Sequence, residues 1–328
     1  MAILGLAVLA LSIAAAMIIG PADLGIGDVY AVVAQHLWGR PADIAPIDDG
    51  IVWELRLPRA LLAAICGAGL GICGTILQSL MRNPLADPFM LGISSGASTG
   101  AVLVVVAGVG GALTLSSGAF VGAVTAFVLV LALAAAAGGQ DRVVLAGVAG
   151  TQLFSALTSV VVFSSANAQQ TRGVLFWLLG SLGGASWHQV AMCGLVCAAC
   201  LGVCWLQSDA LGAFAFGRDA AAALGVSVRR VRIILLMTTA LLTAVLVSVA
   251  GAIGFVGLVL PHAARMIVGP SHRRLLPVTA VAGAVFLVWV DAAARTVFAP
   301  QELPVGVVTA LVGVPIFMWI LARRKRIR

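Results

Sequence analysis

Between Arg59 and Arg82 the chain passes through residues 60–81 without one charged side chain. A helix rising ~1.5 Å per residue over that stretch is long enough to cross a bilayer core of ~30 Å. Runs of this kind recur along the whole sequence, and their recurrence limits the possible folds more than any single motif does. We read ten spans: 3–20, 59–81, 91–109, 118–137, 143–165, 190–206, 231–250, 251–261, 278–290 and 305–321. Apolar residues make up 62% of the chain and charged residues 9%, which excludes an ordinary soluble globule. Membrane barrel strands would alternate apolar and polar residues, and the runs show no such alternation. The expectation is an all-α polytopic membrane protein, with residues 1–328 forming a single transmembrane domain.

The polar breaks between the runs carry the orientation signal. With the amino terminus placed inside, the inner breaks hold Arg82, Arg142, Arg218, Arg229, Arg230, Arg232, Arg265, Arg273, Arg274 and the basic residues of the tail RRKRIR. The outer breaks hold only Arg40, Arg56, Arg59, Arg172 and Arg295. Cytoplasmic loops carry the excess of Arg and Lys, so both termini are expected in the cytoplasm. The first run lacks the basic start of a cleavable signal peptide, because Met1-Ala2-Ile3-Leu4 carries no side-chain charge, and it reads as a retained helix. Residues 21–58 then form the longest polar segment, a periplasmic loop with a short helix over 29–38. Residues 167–188 suggest a half-helix or interfacial piece. Although the sequence pI is near 9.8, the basic residues are dispersed among the breaks and do not form a nucleic-acid patch.

Several chemistries can be weighed on residue types alone. The chain has one lysine, Lys325, and no G-x-x-x-x-G-K-[ST] segment, so any ATP that drives it must be bound by another polypeptide. Cys193, Cys197, Cys200 and Cys204 fall on one helical face. Thiolates in such a row suit soft metals, but no carboxylate or histidine flanks them, and small apolar packing residues are the plainer reading. The segment 92–96, GISSG, matches the pattern of a nucleophile elbow, a motif that has meaning after a strand. Here it opens a membrane helix, so packing is again the plainer reading. His262, after Pro261, reads as a helix-end residue at the cytoplasmic interface, and the four histidines are scattered.

A set of longer motifs resembles a known family. LPR at 57–59, LQ-x-x-x-RNPLA-x-P at 77–88 and GISSGA at 92–97 are followed in order by GAIGFVGLVLPHAAR at 251–265, DAAAR at 291–295 and ELPVGVVTALVG at 302–313. Together these are similar to the permease subunits of binding-protein-dependent ABC importers for ferric siderophores, haem and cobalamin. The resemblance implies ten spans with both ends inside, a homodimer in the bacterial inner membrane, two ATP-binding cassette subunits and a periplasmic substrate-binding protein. ATP and Mg would sit on the ATPase partner, and the permease itself would be no enzyme.

The same resemblance gives roles to particular residues. Arg56, Arg59 and Arg295 are expected to receive carboxylates of the loaded binding protein, a task that suits the planar guanidinium fork. Asp291, four residues before Arg295, can orient that arginine. Within the inner break at 208–230, Arg218, Asp219, Ala220, Ala221 and Gly225 resemble the coupling helix that fits a cleft on the ATPase, with Asp where Glu is common. Gln140 and Asp141 occupy the turn that narrows the cytoplasmic end of the pathway. They are bulkier than the small hydroxyl residues expected there, and an ordinary polar turn is an equal reading.

An ion-coupled secondary transporter would need intramembrane carboxylates, and the runs are nearly free of them. An intramembrane hydrolase using Ser94 or Ser95 lacks a recognisable base. The expected cargo is an iron complex, ferric siderophore or haem, with cobalamin as the alternative.

Overall fold

The computed structural model describes the chain apart from residues 1, 21, 23, 41–43, 108–113, 139–141, 165–167, 215–216 and 325–328, and apart from the side chains of 2, 168–172, 218, 321 and 323–324. Among the described residues the regular structure is helical throughout. The chain opens with α1 (Ala2–Ile18), α2 (Ile26–Trp38) and α3 (Pro46–Gly50). A π-helical turn (Ile51–Arg56) leads without a break into α4 (Leu57–Leu80). After a 3-10 turn (Pro88–Leu91) come α5 (Ile93–Val106), α6 (Leu115–Ala136), α7 (Val143–Ser164), α8 (Ala168–Leu178) and α9 (Trp187–Leu206). The remainder comprises α10 (Ser208–Phe214), α11 (Arg218–Ala223), α12 (Val228–Ala250), α13 (Val256–Val268), α14 (His272–Thr296) and α15 (Val305–Arg324).

Six segments are long and apolar enough to cross a membrane: Pro46–Leu80, Leu115–Ala136, Val143–Ser164, Trp187–Leu206, Val228–Ala250 and His272–Thr296. Four more apolar helices, Ile3–Ile18, Ile93–Val106, Val256–Val268 and Val305–Ile320, are shorter.

The central element is α4. It is buried almost all round and packs against α9, α12, α13 and α14. Its small residues make that possible. A Cβ at Gly67 would overlap the carbonyl of Gly283 on α14, and one at Gly74 would overlap the backbone of Gly257 on α13. In a membrane, where apolar burial does not drive helices together, such close backbone approach supplies the dispersion contact. A second group forms from α5, α6 and α7, with α5 and α6 again meeting at glycines.

Four departures from the sequence reading have local causes. Residues 46–58 are helical and continuous with α4, so the outer loop is shorter than 21–58. Pro46 sits in the first turn with Asp48 and Asp49, a favourable helix start. The π-helical turn closes with the Leu57 N–H on the Val52 carbonyl, just ahead of Pro58, which has no N–H to give. The inner break after α9 contains α10 in addition to the expected coupling helix. The run 251–261 is not one helix: 251–255 are unwound, and α13 begins only at Val256. His262 accordingly sits inside α13, buried, with Nδ1 2.8 Å from the Leu258 carbonyl and its ring edge-on to Phe317. It is not at a helix end, because α13 continues through Pro261 to Val268.

Candidate docking and coupling sites

The packing of α4 on α14 fixes the site that the sequence reading places outside. With Gly67 against Gly283, the first turn of α4 lies beside the last turns of α14, and Arg59 reaches Asp291. Arg59 Nε donates to both Asp291 carboxylate oxygens at 3.0 and 3.1 Å, and its Nη1 donates to both oxygens of Glu302 at 3.1 and 2.9 Å. Glu302 stands on the loop between α14 and α15, which is tied back by the Leu303 N–H on the Ala294 carbonyl (2.9 Å). Arg295 Nε lies 3.2 Å from Asp291 Oδ2, one turn along the same helix. Two cations and two anions thus form one cluster without net charge.

The outer arginines divide their work. Arg56 donates to the carbonyls of Met17 (2.7 Å), Ile18 (3.1 Å) and Ala22 (2.7 Å), while Arg295 Nη2 donates to that of Ala16 at 3.1 Å. The last carbonyls of a helix have no partner within it and carry partial negative charge, so two arginines there satisfy and stabilise the end of α1. Arg56, Arg59 and Arg295 are only 5%, 8% and 5% exposed. The sequence reading brought Arg295 to Asp291 by spacing. It did not find Glu302 as a partner, nor the carbonyls of α1, because those contacts join distant parts of the chain.

Beside this cluster an aromatic stack braces the outer segment. The His36 ring lies on Trp53 at 4.1 Å between centroids and accepts or donates at Asp49 across 2.9 Å, and Trp187 Nε1 donates to the Trp53 carbonyl at 3.0 Å.

At the end that the sequence reading places inside, α11 is bounded by glycines at positive φ: Gly217 (φ 105°) before it and Gly225 (φ 81°) after it. The Val226 N–H bonds the Ala221 carbonyl at 3.0 Å and the Gly225 N–H bonds that of Ala222 at 2.9 Å. That 6→1 and 5→2 pair closes the helix and requires a left-handed residue at Gly225. Asp219 is exposed, Ala220 is half-buried and Ala221 is buried, so the short helix seats Ala221 inward and turns Asp219, Ala222 and Ala223 outward. Arg218 opens the helix, with its side chain outside the described residues. So are Gln140 and Asp141, whose reading as a gate lies beyond what the structure describes.

Leu211 and Phe214 of α10 are buried and anchor this segment against α4 and α14. An open cleft of about 300 Å³ lies alongside, lined by Gln78, Ser79, Arg82, Pro84, Leu211, Arg265, Pro270 and His272. Arg82 adopts φ 49°, uncommon for a side-chain-bearing residue, at the turn into Asn83-Pro84. Gln78 organises the wall. Pro261 has no N–H for the Gly257 carbonyl, and Gln78 Nε2 donates to that carbonyl instead at 3.1 Å, while its Oε1 accepts from Arg265 Nη1 at 2.8 Å. The glutamine of the 77–88 motif and the arginine of the 251–265 motif therefore belong to one network.

A second cleft, about 390 Å³, is bounded by Leu85, Asp87, Phe89, Met90, Val148, Thr151, Gln152, Gly254, Phe255 and Leu258. Its back wall is the unwound stretch after α12, where Phe255 is held at φ 68°. Irregular backbone within a bundle is tolerated where it is covered by protein or faces a cavity. The Gly-rich sequence 251–257 hinted at this break, although not at the cleft. Burial pushes the Asp87 carboxyl up to about 6, against the opposing bond it accepts from the Phe89 N–H at 2.8 Å.

All six cysteines are buried. Cys66 and Cys73 of α4 lie near the row on α9, which makes one thiol seam between these helices. Among the described residues no group of three His, Cys, Asp or Glu side chains is placed to hold a metal ion. The hydroxyls of Ser94, Ser95 and Ser98 are on or near α5; those of Ser95 and Ser98 bond backbone carbonyls of their own turn.

Residues 8–323 match the model of the FecCD transport family. Over 247 residues the chain is 41% identical to the cobalamin import system permease protein BtuC of Halobacterium salinarum, covering 75% of this chain and 66% of that one. It is also 41% identical, over 253 residues, to the hemin transport system permease protein HmuU of Yersinia pestis, covering 74% and 75%. Among solved structures, an inward-facing metal-chelate type ABC transporter superposes with TM-score 0.85 at 28% identity over 98% of both chains. The chain is a multi-pass membrane permease of ABC importers and belongs to the FecCD transport family.

Proposed function

We propose that this permease carries an iron complex, a ferric siderophore or haem, from the periplasm across the bacterial inner membrane into the cytoplasm. It works as a homodimer of ten-span subunits in membrane lipid, with both termini in the cytoplasm. Two separate ATPase subunits bind ATP and Mg and supply the work, and the permease chain itself catalyses nothing. A periplasmic substrate-binding protein docks at the outer arginines. Arg59 makes the contact, while Arg56 and Arg295, committed to the end of α1, hold the cluster in place. The ATPase docks on residues 208–230 through Arg218, Asp219, Ala220, Ala221 and Gly225.

One observation carries this reading: the same two helices reach both sites. α4 bears Arg59 at its outer end and Gln78 and Ser79 at its inner end. α14 bears Asp291 and Arg295 outside, and inside it bears His272, 2.6 Å from Ser79, and Arg273, 3.9 Å from Asp209 of α10. Cobalamin is the second reading, favoured by the name of one relative at the same identity as the haemin one.

Gentle extraction from native membranes tests the proposal. A stoichiometric ATPase is expected to copurify and to be lost when residues 219–225 are replaced by a flexible linker. The absorption spectrum of the accompanying binding protein then distinguishes haem, siderophore and corrinoid. A lone polypeptide that moves solute on an ion gradient without ATP would overturn the proposal.

A further inference from the structure

The outer cluster poses a problem for any acidic partner. Arg59 already has one carboxylate on Nε and a second on Nη1, and the four side chains of the cluster sum to zero charge. Arg56 beside it is spent on the carbonyls of Met17, Ile18 and Ala22, so an incoming carboxylate meets a guanidinium at Arg59 that already has two acids. The two internal acids differ sharply in access, however. Asp291 is buried with its side chain 1% exposed, flanked by both arginines, whereas the Glu302 side chain is 39% exposed and stands on a connecting loop.

A buried anion between two cations is costly to move, since leaving Asp291 would uncover charge in a low-dielectric site. Water and a competing partner can reach the Glu302 carboxylate, so its pair with Arg59 is held less firmly than the enclosed one with Asp291. Glu302 is therefore the member that a competitor can displace. Its two oxygens converge on one nitrogen, Arg59 Nη1, a weaker hold than the two-nitrogen grip that an external carboxylate can take on a guanidinium fork.

We propose that Glu302 is an internal stand-in for the partner's carboxylate. In the free permease it holds Arg59, and docking exchanges it for an acidic side chain of the substrate-binding protein. This inference rests on the docking reading above. The exchange keeps Arg59 neutralised throughout, so the permease exposes no bare cation between docking events. It discriminates against anions that cannot match the fork, because a single weak contact does not outcompete an attached carboxylate. It also releases the 300–304 loop from α4, so that docking is felt at the start of α15.

The test measures affinity between the permease–ATPase complex in lipid nanodiscs and the binding protein recovered with it from native membranes. Glu302→Gln removes the competitor and is expected to tighten binding about three- to tenfold. Arg59→Lys keeps a cation beside Asp291 but loses the fork, and is expected to weaken binding at least tenfold. The double variant should match Arg59→Lys, because Glu302 acts only through Arg59. Weakened binding with Arg59→Lys, but unchanged or weaker binding with Glu302→Gln, overturns the stand-in and leaves docking at Arg59 intact. Unchanged binding with Arg59→Lys overturns both. Glu302→Asp, too short to span the same gap, repeats the test if Glu302→Gln lowers the melting temperature.

Discussion

Gln78 repairs a defect that lies on another helix. Pro261 leaves the Gly257 carbonyl without a partner inside α13, and the Gln78 amide supplies the missing donor across the α4–α13 contact. Leaving a buried carbonyl unbonded costs about 1–3 kcal/mol. Gln78→Leu is therefore expected to lower the melting temperature in detergent by several degrees and to free Arg265 from its acceptor. Gln78→Glu should recover the Arg265 bond but not the donor to Gly257, and so only part of the stability. Asp87 gives a pH-dependent counterpart. Its carboxyl is raised by burial to about 6, above the ~3.9 of an unfolded chain, so its contribution to stability is full below pH ~4 and is lost as pH rises through about 6. Asp87→Asn, which can still accept from the Phe89 N–H, is expected to flatten that decline. At pH 7.5 it should stabilise the fold by up to about 3 kcal/mol, read as a melting profile that no longer falls as pH rises from ~4 through about 6.

At the scale of elements, the contacts of α4 are set by absent side chains. Gly67 faces Gly283 with no room for a Cβ on either helix. Gly67→Ala is expected to force α4 and α14 apart, costing about 1–3 kcal/mol and loosening Arg59 from Asp291. By contrast Gly202 on α9 has open space around it, and Gly202→Ala should leave the melting temperature unchanged or slightly raised. The apolar runs and glycine spacing made the helices and this stripe legible in sequence. The helical start at Pro46 was not legible, because Asp48, Asp49 and Glu54 resemble a solvated loop when read by polarity, while in the fold they lie along the helical lead-in to α4. The break at 251–255 was only hinted at by its glycines, since an apolar run looks much the same wound or unwound.

Over the whole molecule, sequence separation decided what could be foreseen. Asp291 and Arg295 share a helix turn, and their pairing follows from spacing. Arg59 and Asp291 are 232 residues apart, and Arg59 and Glu302 are 243 apart. Only the packed bundle brings them together. The family motifs identified these residues as a set, while their geometry required the fold. The proposed orientation has a direct check. With the native thiols all buried, a single cysteine at Asp219 should react with a membrane-impermeant maleimide only in inside-out vesicles, and one at Glu302 only in right-side-out spheroplasts. The swapped pattern would reverse the assignment of faces, and the same side for both would overturn the placement of the two sites on opposite faces.

The glycine contact between α4 and α14 has a mechanical meaning as well. Two rods whose backbones touch at notches cannot slide lengthwise, because one turn of slip, ~5.4 Å, would drive the side chains flanking each notch into the opposing backbone. The pair is therefore a strut: a push at its outer tip arrives at its inner tip as tilt or rotation of one stiff piece. Any alternation of access must come from the other helices swinging against that strut.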